Sequence, residues 1–308
     1  MLNEPLDILK LHPIRKTKEQ KESFRADVLS YIKELGYSCK IESAKLGVNN
    51  VVIGDPDTAR YLVTAHYDTP ASIGMANVCN PTSRIRFLVK YLFSVAIGAC
   101  SGAVPGALIS AGEYLPGVLF LGLVFVLLYL MFNGPANVNN ANDNTSGIVT
   151  VLEIARTLPE SQRSKVCFVL FDQEEKGLLG SSAYRKAHKA VTEKQLVLNL
   201  DCVGDGDHIL FMPTKKARQD ERLISRLKYL GGWFGKKQIL TIEKGYCAYN
   251  SDHKNFPLSV GVGAFHQKKG KGFVLDKIHT KHDTNLDMTN VNLLRAALTT
   301  LICGDAVN

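Results

Sequence analysis

The sequence predicts an α/β protein with a mixed, largely parallel central sheet flanked by helices. Short apolar runs of the kind that form buried strands alternate along the chain with longer segments of helical periodicity. The chain has 308 residues, of which 45% are hydrophobic and 21% are charged, so it can bury a sizeable core. Strands that are apolar throughout favour a sheet that helices cover on both faces.

The predicted helices carry an apolar stripe at helical spacing. Residues 16–35 place Phe24, Val28 and Ile32 on one face, and Gly36 follows as a stop signal. The same criteria predict helices over 148–158, 179–189, 222–230 and 291–301.

The predicted strands are short apolar runs bounded by turn residues. Gly54 and Pro56 separate two of these runs in the first quarter of the chain. The runs at 166–171 and 196–200 are expected to form fully buried strands. The other predicted strands cover 37–41, 50–53 and 61–65.

An uncharged insertion interrupts this alternation. Residues 91–112 and 115–132 carry no charge, and the second run can cross roughly 27 Å as a helix at about 1.5 Å per residue. We therefore predict that 84–133 is an inserted hairpin of two apolar helices, which spans a membrane or forms an apolar lid. A hairpin buried in a larger core is the other interpretation. Residues 1–83 and 134–308 are then a single α/β domain.

The charges at the ends of the hairpin predict its orientation. Arg84, Arg86 and Lys90 precede the first run, whereas the connection between the runs holds only Glu113. Positive residues favour the cytoplasmic side, so a membrane protein with its α/β domain in the cytoplasm and lipid contact through 91–132 is expected. A soluble cytoplasmic protein is the alternative. Small residues are expected to let the two helices approach closely, namely Gly98, Ala99, Ser101, Gly102, Ala103, Gly106 and Ala107.

Charge and cysteine content exclude other protein classes. The formal net charge of +8 suits an anionic partner, yet no nucleic acid is predicted, because many proteins carry this charge without one. The seven cysteines form no CxxC pair, which argues against a zinc ribbon, a redox motif and a dense disulfide framework. The first twenty residues contain no apolar run of the kind found in secretory signal peptides, so none is expected.

Side chains that can bind metal follow the predicted strands. In α/β folds sites are built where strands end, so these side chains are expected to meet. A histidine can bind zinc through one ring nitrogen while a carboxylate two residues on holds its other N–H. Two adjacent carboxylates after a strand point in different directions, so one can bind metal while the other reaches substrate. The candidates are His66, Asp68, Asp143, Glu174, Glu175, Asp201 and His279.

Two imidazoles and three carboxylates form the candidate ligand set. Such a set can hold two divalent ions about 3.5–4 Å apart with one bridging carboxylate. No cysteine belongs to it, which is typical of a catalytic rather than a structural zinc site. The set comprises His66, Asp143, Glu175, Asp201 and His279.

The chain resembles the co-catalytic zinc aminopeptidases of metallopeptidase family 28. The resemblance runs from about Lys16 to Leu301, skips the insertion, and implies the zinc aminopeptidase fold with two Zn2+ ions as cofactors. It rests on six motifs in the same order, YLVTAHYDT, ANDNTSG, FDQEEKGLLGS, NLDCVG, SDHKNF and IHTKHDT.

The resemblance also implies a role for each site residue. Glu174 resembles the general base, and Asp68 resembles the carboxylate that holds His66. Asp252 and His253, in the SDH motif, resemble a structural element beside the site rather than ligands. His66 and Asp201 resemble ligands of one zinc ion, Glu175 and His279 ligands of the other, and Asp143 the bridge between them.

The spacing of the first two motifs departs from the family. The family places its first histidine and its bridging aspartate closer together, whereas residues 84–132 intervene here. Because the insertion lies next to the metal ligands in sequence, its ends are expected to emerge near the active site.

The resemblance implies hydrolysis of peptide amide bonds, most simply by an aminopeptidase. One alternative is a dizinc hydrolase of acylated amino acids or dipeptides. A second is a one-zinc glutaminyl cyclase, and a third is an inactive membrane receptor or scaffold. The expected partner is a peptide or acyl-amino-acid substrate, and assembly into a homo-oligomer is left open.

Two further groups of residues are candidates for substrate contact. Tyr246 or Tyr249 could donate a hydrogen bond to the oxyanion, and the sequence does not choose between them. A dipeptidase or carboxypeptidase would need a cation for the substrate carboxylate. The lysines before His279 are candidates for this role, and the alternative is that they form a solvated basic loop. These lysines are Lys268, Lys269 and Lys271.

Overall fold

The chain is built around one ten-stranded sheet, seen in a computed structural model that describes residues 4–72 and 78–304. The strands are β1 Cys39–Ser43, β2 Asn49–Ile53, β3 Tyr61–His66, β4 Val166–Phe171, β5 Leu196–Leu200, β6 His208–Pro213, β7 Gly232–Phe234, β8 Lys237–Thr241, β9 Ser259–Lys268 and β10 Gly272–Val274.

The strand order is β1-β2-β4-β3-β5-β9-β6-β8-β7, and β10 pairs with β9 outside this path. The four central strands β4, β3, β5 and β9 run parallel, while β1 and β2 on one side and β6 on the other add antiparallel pairs. The predicted mixed sheet with a parallel centre is confirmed.

The strands after β5 are absent from the sequence prediction. β9 reads SVGVGAFHQK, and its two glycines weaken the strand pattern because glycine is depleted in strand interiors. β8 begins with Lys237 and is only half-buried, so it lacks an apolar run. Pairing with neighbours, rather than local preference, places these segments in the sheet.

The helices cover both faces of the sheet. One face carries a large core built with the helices at 5–11, 18–34, 147–157, 221–229 and 288–303, and the other carries a smaller core around Tyr184 and Phe256. The predicted helix at 16–35 begins at Lys18, where Thr17 and Gln20 form a capping box. The helices are α1 Pro5–Leu11, α2 Lys18–Glu34, α3 Arg84–Ser110, α4 Tyr114–Asn133, α5 Gly147–Thr157, α6 Glu160–Arg163, α7 Leu179–Ala187, α8 Lys189–Thr192, α9 Lys215–Arg218, α10 Glu221–Tyr229 and α11 Met288–Cys303.

The insertion forms two apolar helices, α3 and α4, joined by a short turn. Each is long and apolar enough to cross a membrane, judged by length and composition, and only 6% of its most apolar window is buried. Phe125 in the middle of α4 is 63% exposed. The two predicted apolar helices are therefore present, and they lie outside the protein core.

The two helices of the hairpin meet near the turn. Pro105 and Gly117 are buried there, and a Cβ atom on Gly117 would lie 2.6 Å from Cγ1 of Ile109. The expected close approach at Gly98, Gly102 and Gly106 is wrong, because a Cβ atom on any of these would meet no atom within 4 Å.

Candidate metal centre

The residues of the candidate metal centre come from the ends of the central strands and from two loops. β3 ends at His66, and Glu174 and Glu175 follow β4. Asp201 directly follows β5. Because β3, β4 and β5 are parallel, their carboxyl ends meet at one edge of the sheet. Asp143 comes from the turn Ala141–Ser146 before α5, and His279 comes from the loop between β10 and α11.

Asp143 lies between the two histidines. Its Oδ1 atom is 3.2 Å from Nε2 of His66, and its Oδ2 atom is 3.0 Å from Nε2 of His279. Each histidine faces a second carboxylate, with Asp201 Oδ1 3.7 Å from His66 Nε2 and Glu175 Oε1 3.5 Å from His279 Nε2. The structure thus brings all five residues of the candidate ligand set into one cluster.

Two groups of ligand atoms share Asp143. His66, Asp143 and Asp201 place one ligand atom each within 4.8 Å of one another, and so do Asp143, Glu175 and His279. A group of three such ligands that held a metal ion would leave room for water or substrate, as in catalytic zinc sites. Glu174 also comes within this distance of His66 and Glu175.

Asp68 links the two strands that carry the cluster. Its carboxylate accepts hydrogen bonds from the backbone N–H groups of Glu174 and Glu175, at 3.0 and 3.2 Å. Its Oδ1 atom also lies 3.5 Å from Nδ1 of His66. Asp68 thereby fixes the chain after β4 and faces the ring nitrogen that points away from the cluster.

The turn that carries Asp143 is held by residues that the sequence analysis did not assign. Asp283 accepts hydrogen bonds from the backbone N–H groups of Asn142 and Asp143, at 2.8 and 3.0 Å. Asn142 Oδ1 in turn accepts from the N–H groups of Gly204 and Asp205. Asp283 belongs to the quoted motif IHTKHDT, which was the only signal in the sequence for this role.

Left-handed backbone conformations occur at or next to three of the site residues. Gln173, just before Glu174, has φ 56°, and Cys202, just after Asp201, has φ 55°. His279 itself has φ 60°. Such conformations are costly for residues other than glycine and cluster at functional sites, where the surrounding structure holds them. The sequence gives no signal for this strain.

A buried arginine lies beside the carboxylates of the cluster. Arg15 is fully buried nearby, and its guanidinium donates to backbone oxygens of Tyr67 and His12 and to the side chains of Asn140 and Thr145. Burial lowers the pKa of Arg15 to about 10, against the opposing charges of two site carboxylates. Within 4–72 and 78–304, it forms no hydrogen bond to those carboxylates, so the acidic cluster fits one or more metal cations.

The proton affinities of the cluster agree with this charge balance. Burial, followed by the charge of Asp143, raises the pKa of Glu175 to about 8, and burial raises the pKa of Glu174 well above its ordinary value. Burial would lower the pKa of His279, but the charges of Glu175 and Asp143 raise it to about 9. Without metal the cluster therefore holds protons in place of cations.

Peptidase family M28 has a sequence profile that matches residues 130–302, more than half of the chain. This chain belongs to peptidase family M28. Membership places it among metallopeptidase hydrolases and implies zinc as its metal. Aminopeptidase YwaD from Bacillus subtilis (strain 168) is 43% identical over 67 residues, which are 21% of this chain. The aligned segment spans only 15% of that relative's length.

Solved structures share the fold of this family member. Porphyromonas gingivalis glutaminyl cyclase has a TM-score of 0.63 at 16% identity, covering 99% of this chain and 98% of that one. A Zn-dependent exopeptidase from Parabacteroides distasonis also has a TM-score of 0.63 at 16% identity, covering 97% of both chains. The Legionella pneumophila LapA aminopeptidase has a TM-score of 0.58 at 15% identity, covering 99% of this chain and 72% of that one. At these identities the likeness establishes the fold alone.

The candidates for substrate contact lie elsewhere or are engaged by the protein. The hydroxyl of Tyr249 donates to the backbone oxygen of Asp201 at 2.9 Å. The ring of Tyr246 packs on Phe87 at the start of α3, with centroids 5.7 Å apart. Lys268 forms an ion pair with Asp276. None of these contacts supports an oxyanion or carboxylate-binding role, and we assign none.

The SDH motif is buried beside the cluster. The ring of His253 lies against β9, where a Cβ atom on Gly261 would come within 2.7 Å of it. Only glycine leaves space for the ring at that position. Burial raises the pKa of Asp252 to about 7, and Asp252 belongs to none of the three candidate ligand groups.

Proposed function

We propose that this M28 member is a zinc-dependent aminopeptidase with two zinc ions. The observation that carries the proposal is the position of Asp143, whose two oxygens face His66 and His279 separately at 3.2 and 3.0 Å. A carboxylate that presents one oxygen to each of two imidazole nitrogens is suited to bridge two ions. A one-metal site does not need this arrangement.

The ligand assignment follows from which atoms face each other. His66 and Asp201 would hold one ion and Glu175 and His279 the other, with Asp143 common to both groups. Asp68 holds His66 in its orientation as an outer partner. Zinc, when bound, polarises the scissile carbonyl and lowers the pKa of water toward neutrality.

Glu174 is the general base of this proposal. It lies beside the cluster while Glu175 faces His279, since adjacent side chains point in different directions. Its backbone is fixed by Asp68, and burial raises its proton affinity, which suits a group that must accept and release a proton. Glu174 takes the proton of the attacking water and returns it to the leaving amine as the C–N bond breaks.

Metal content of the purified full-length protein tests this proposal first. Two zinc ions per chain support the dizinc peptidase. One zinc ion with formation of pyroglutamate from N-terminal glutamine identifies a glutaminyl cyclase instead. No bound metal and no hydrolysis identify an inactive receptor or scaffold.

A substrate panel then separates the two dizinc alternatives. The panel compares aminoacyl amides that have a free amine with their N-acylated counterparts and with free dipeptides. Each of these two classes differs from the free-amine amides at one end of the substrate. Faster hydrolysis of the free-amine substrates supports an aminopeptidase. Faster hydrolysis of the acylated amino acids or dipeptides assigns the site to those substrates.

We also propose that α3 and α4 span a membrane and hold the α/β domain, residues 1–83 and 134–308, in the cytoplasm. Support comes from the exposure of both helices and from Arg84, Arg86 and Lys90 at the base against Glu113 at the turn. Two crossings leave both parts of the domain on one side. Extraction of membranes with alkaline carbonate is expected to leave the full-length protein in the pellet. Release without detergent would make the hairpin a lid or an oligomer contact of a soluble protein.

A further inference from the structure

A cavity lies near the base of the hairpin, apart from the candidate metal centre. It has a volume of about 390 Å³, and none of the candidate metal ligands lines it. Tyr249 forms part of its wall and donates its hydroxyl to the backbone of Asp201, so this ring stands between the cavity and the cluster. Its size suits a small ligand or a lipid headgroup.

The lining of this cavity is cationic. Lys215, Arg218 and Lys254 line it, and none of its described lining residues is acidic. An adjoining depression shares Lys215 and Lys254 and adds Lys216. A cavity with several cations and no carboxylate attracts an anion, and phosphate is the group that Arg and Lys bind most effectively together.

Arg218 is held in place at this cavity. Its Nε atom donates to the backbone oxygen of Pro213 at 3.0 Å, and its Nη1 atom donates to that of Gly245 at 2.8 Å. These contacts join the end of β6 to the loop that carries Tyr246. A guanidinium fixed by two backbone oxygens loses little further freedom when it binds a ligand.

The cavity is continuous with the base of the hairpin. Tyr246 lines the cavity and packs on Phe87 in the first turn of α3, and Ala248 N donates to the backbone oxygen of Pro81 at 2.8 Å. Phe87 stacks on Tyr91, so aromatic rings lie where α3 leaves the domain. Aromatic and basic residues at the end of an apolar helix are typical of the headgroup level of a bilayer.

We propose that this cavity binds the phosphate headgroup of an anionic phospholipid. The inference rests on the proposed membrane insertion, because that insertion puts the cavity at the depth of the headgroups. The cations of the cavity and the basic first turns of α3 then face one anionic surface, and each cation near such a surface strengthens binding. A bound headgroup would fix the α/β domain against the bilayer.

Lipid titration of the full-length protein in neutral detergent tests the proposal. Phosphatidylglycerol, phosphatidylcholine and inorganic phosphate are added separately, and the shift in the unfolding temperature gives an apparent Kd for each. Phosphatidylglycerol is expected to bind at least about tenfold more tightly than phosphatidylcholine, since two or more cations act together. Inorganic phosphate is expected to bind more weakly than phosphatidylglycerol.

Charge reversal provides the matched comparison. Lys215→Glu with Lys254→Glu is expected to remove the preference for phosphatidylglycerol. Lys33→Glu with Lys186→Glu reverses two exposed charges on α2 and α7, outside the cavity, and is expected to retain it. Both variants should bind as much zinc as the wild type. If charge reversal impairs folding, Lys215→Ala with Lys254→Ala replaces it and is expected to weaken phosphatidylglycerol binding about tenfold or more.

Three results would overturn the proposal. The first is equal binding of the two lipids by the wild type, and the second is an unchanged lipid preference in the cavity variant. The third is equal binding of inorganic phosphate and phosphatidylglycerol, because that result would define a site for soluble anions. Carbonate extraction separates this proposal from membrane insertion. A protein that stays in the pellet but shows no lipid preference contradicts the headgroup site alone.

Discussion

The strands β4 and β5 and the apolar runs 91–110 of α3 and 115–132 of α4 carry no charge, yet their surroundings are opposite. Every residue of β4 and β5 is buried in the sheet, and the metal candidates follow directly after these strands. Almost every residue of α3 and α4 is exposed, including Phe125 at 63%. Apolar composition therefore predicts removal from water, but whether protein or lipid surrounds the segment depends on what the fold places beside it.

Removal of the bridging carboxylate is expected to have the largest effect in the buried region. Asp143→Ala takes away the one side chain that faces both histidines, so both metal positions should lose zinc and activity should fall with zinc content. Metal analysis and kcat of the same preparation provide the measurement. Full zinc occupancy in this variant would mean that other residues build the site.

Glu174→Gln separates proton transfer from metal binding. The amide keeps the shape of the side chain but cannot accept a proton, so kcat is expected to fall about 10²–10⁴-fold with zinc content unchanged. Steady-state kinetics with the preferred amide substrate measure the effect. Wild-type turnover would show that Glu174 is not the base.

A pair of identical substitutions tests the contrast between the two regions directly. Phe168→Ala in the fully buried strand β4 is expected to destabilise the protein by about 3–5 kcal/mol. Phe125→Ala on exposed α4 is expected to change the stability of the α/β domain by less than about 0.5 kcal/mol. Denaturant unfolding in neutral detergent, monitored in the α/β domain, measures both. Similar losses would mean that α4 packs into the folded domain.

Asp68→Asn weakens the support of the cluster without removing a metal ligand. The variant loses the charge that accepts two backbone N–H groups and faces His66, and zinc affinity is expected to fall about 10–100-fold. Competition with a chelator gives the affinity. Unchanged affinity would mean that the orientation of His66 does not depend on this carboxylate.

Zinc binding is expected to weaken as the pH falls. In the metal-free protein His279, with its pKa raised to about 9, and Glu175, with its pKa raised to about 8, hold protons near neutrality. Zinc must displace these protons, so affinity should rise with pH up to about 9 by about tenfold per unit for each proton released. Chelator competition at several pH values between about 6 and 9 gives the slope of zinc affinity against pH. A flat profile would mean that the ligands bind zinc without losing protons.

The local sequence predicted much of the first two-thirds of the fold. β4 and β5 have the predicted bounds, and α2, α5 and α7 begin within two residues of prediction. These segments carry an uninterrupted apolar run or a stripe at helical spacing, so local pattern and tertiary environment agree. β9 escaped prediction because Gly261, which leaves space for His253, and Gly263 dilute its strand pattern.

The sequence by itself determined which residues are candidates for a metal centre. Histidines and carboxylates that follow apolar strands must gather at one edge of a parallel sheet, and the order of the motifs indicated the family. Only the tertiary structure decided how they face each other. The position of Asp143 between two histidines depends on hydrogen bonds from Asn142 and Asp143 to Asp283, 140 residues away in sequence. Such long-range contacts arise from the packing of the whole domain, and no local pattern encodes them. The exposure of α3 and α4 is also decided by the tertiary structure. Apolar composition favours removal of a segment from water, but only the neighbouring elements determine whether the protein buries it.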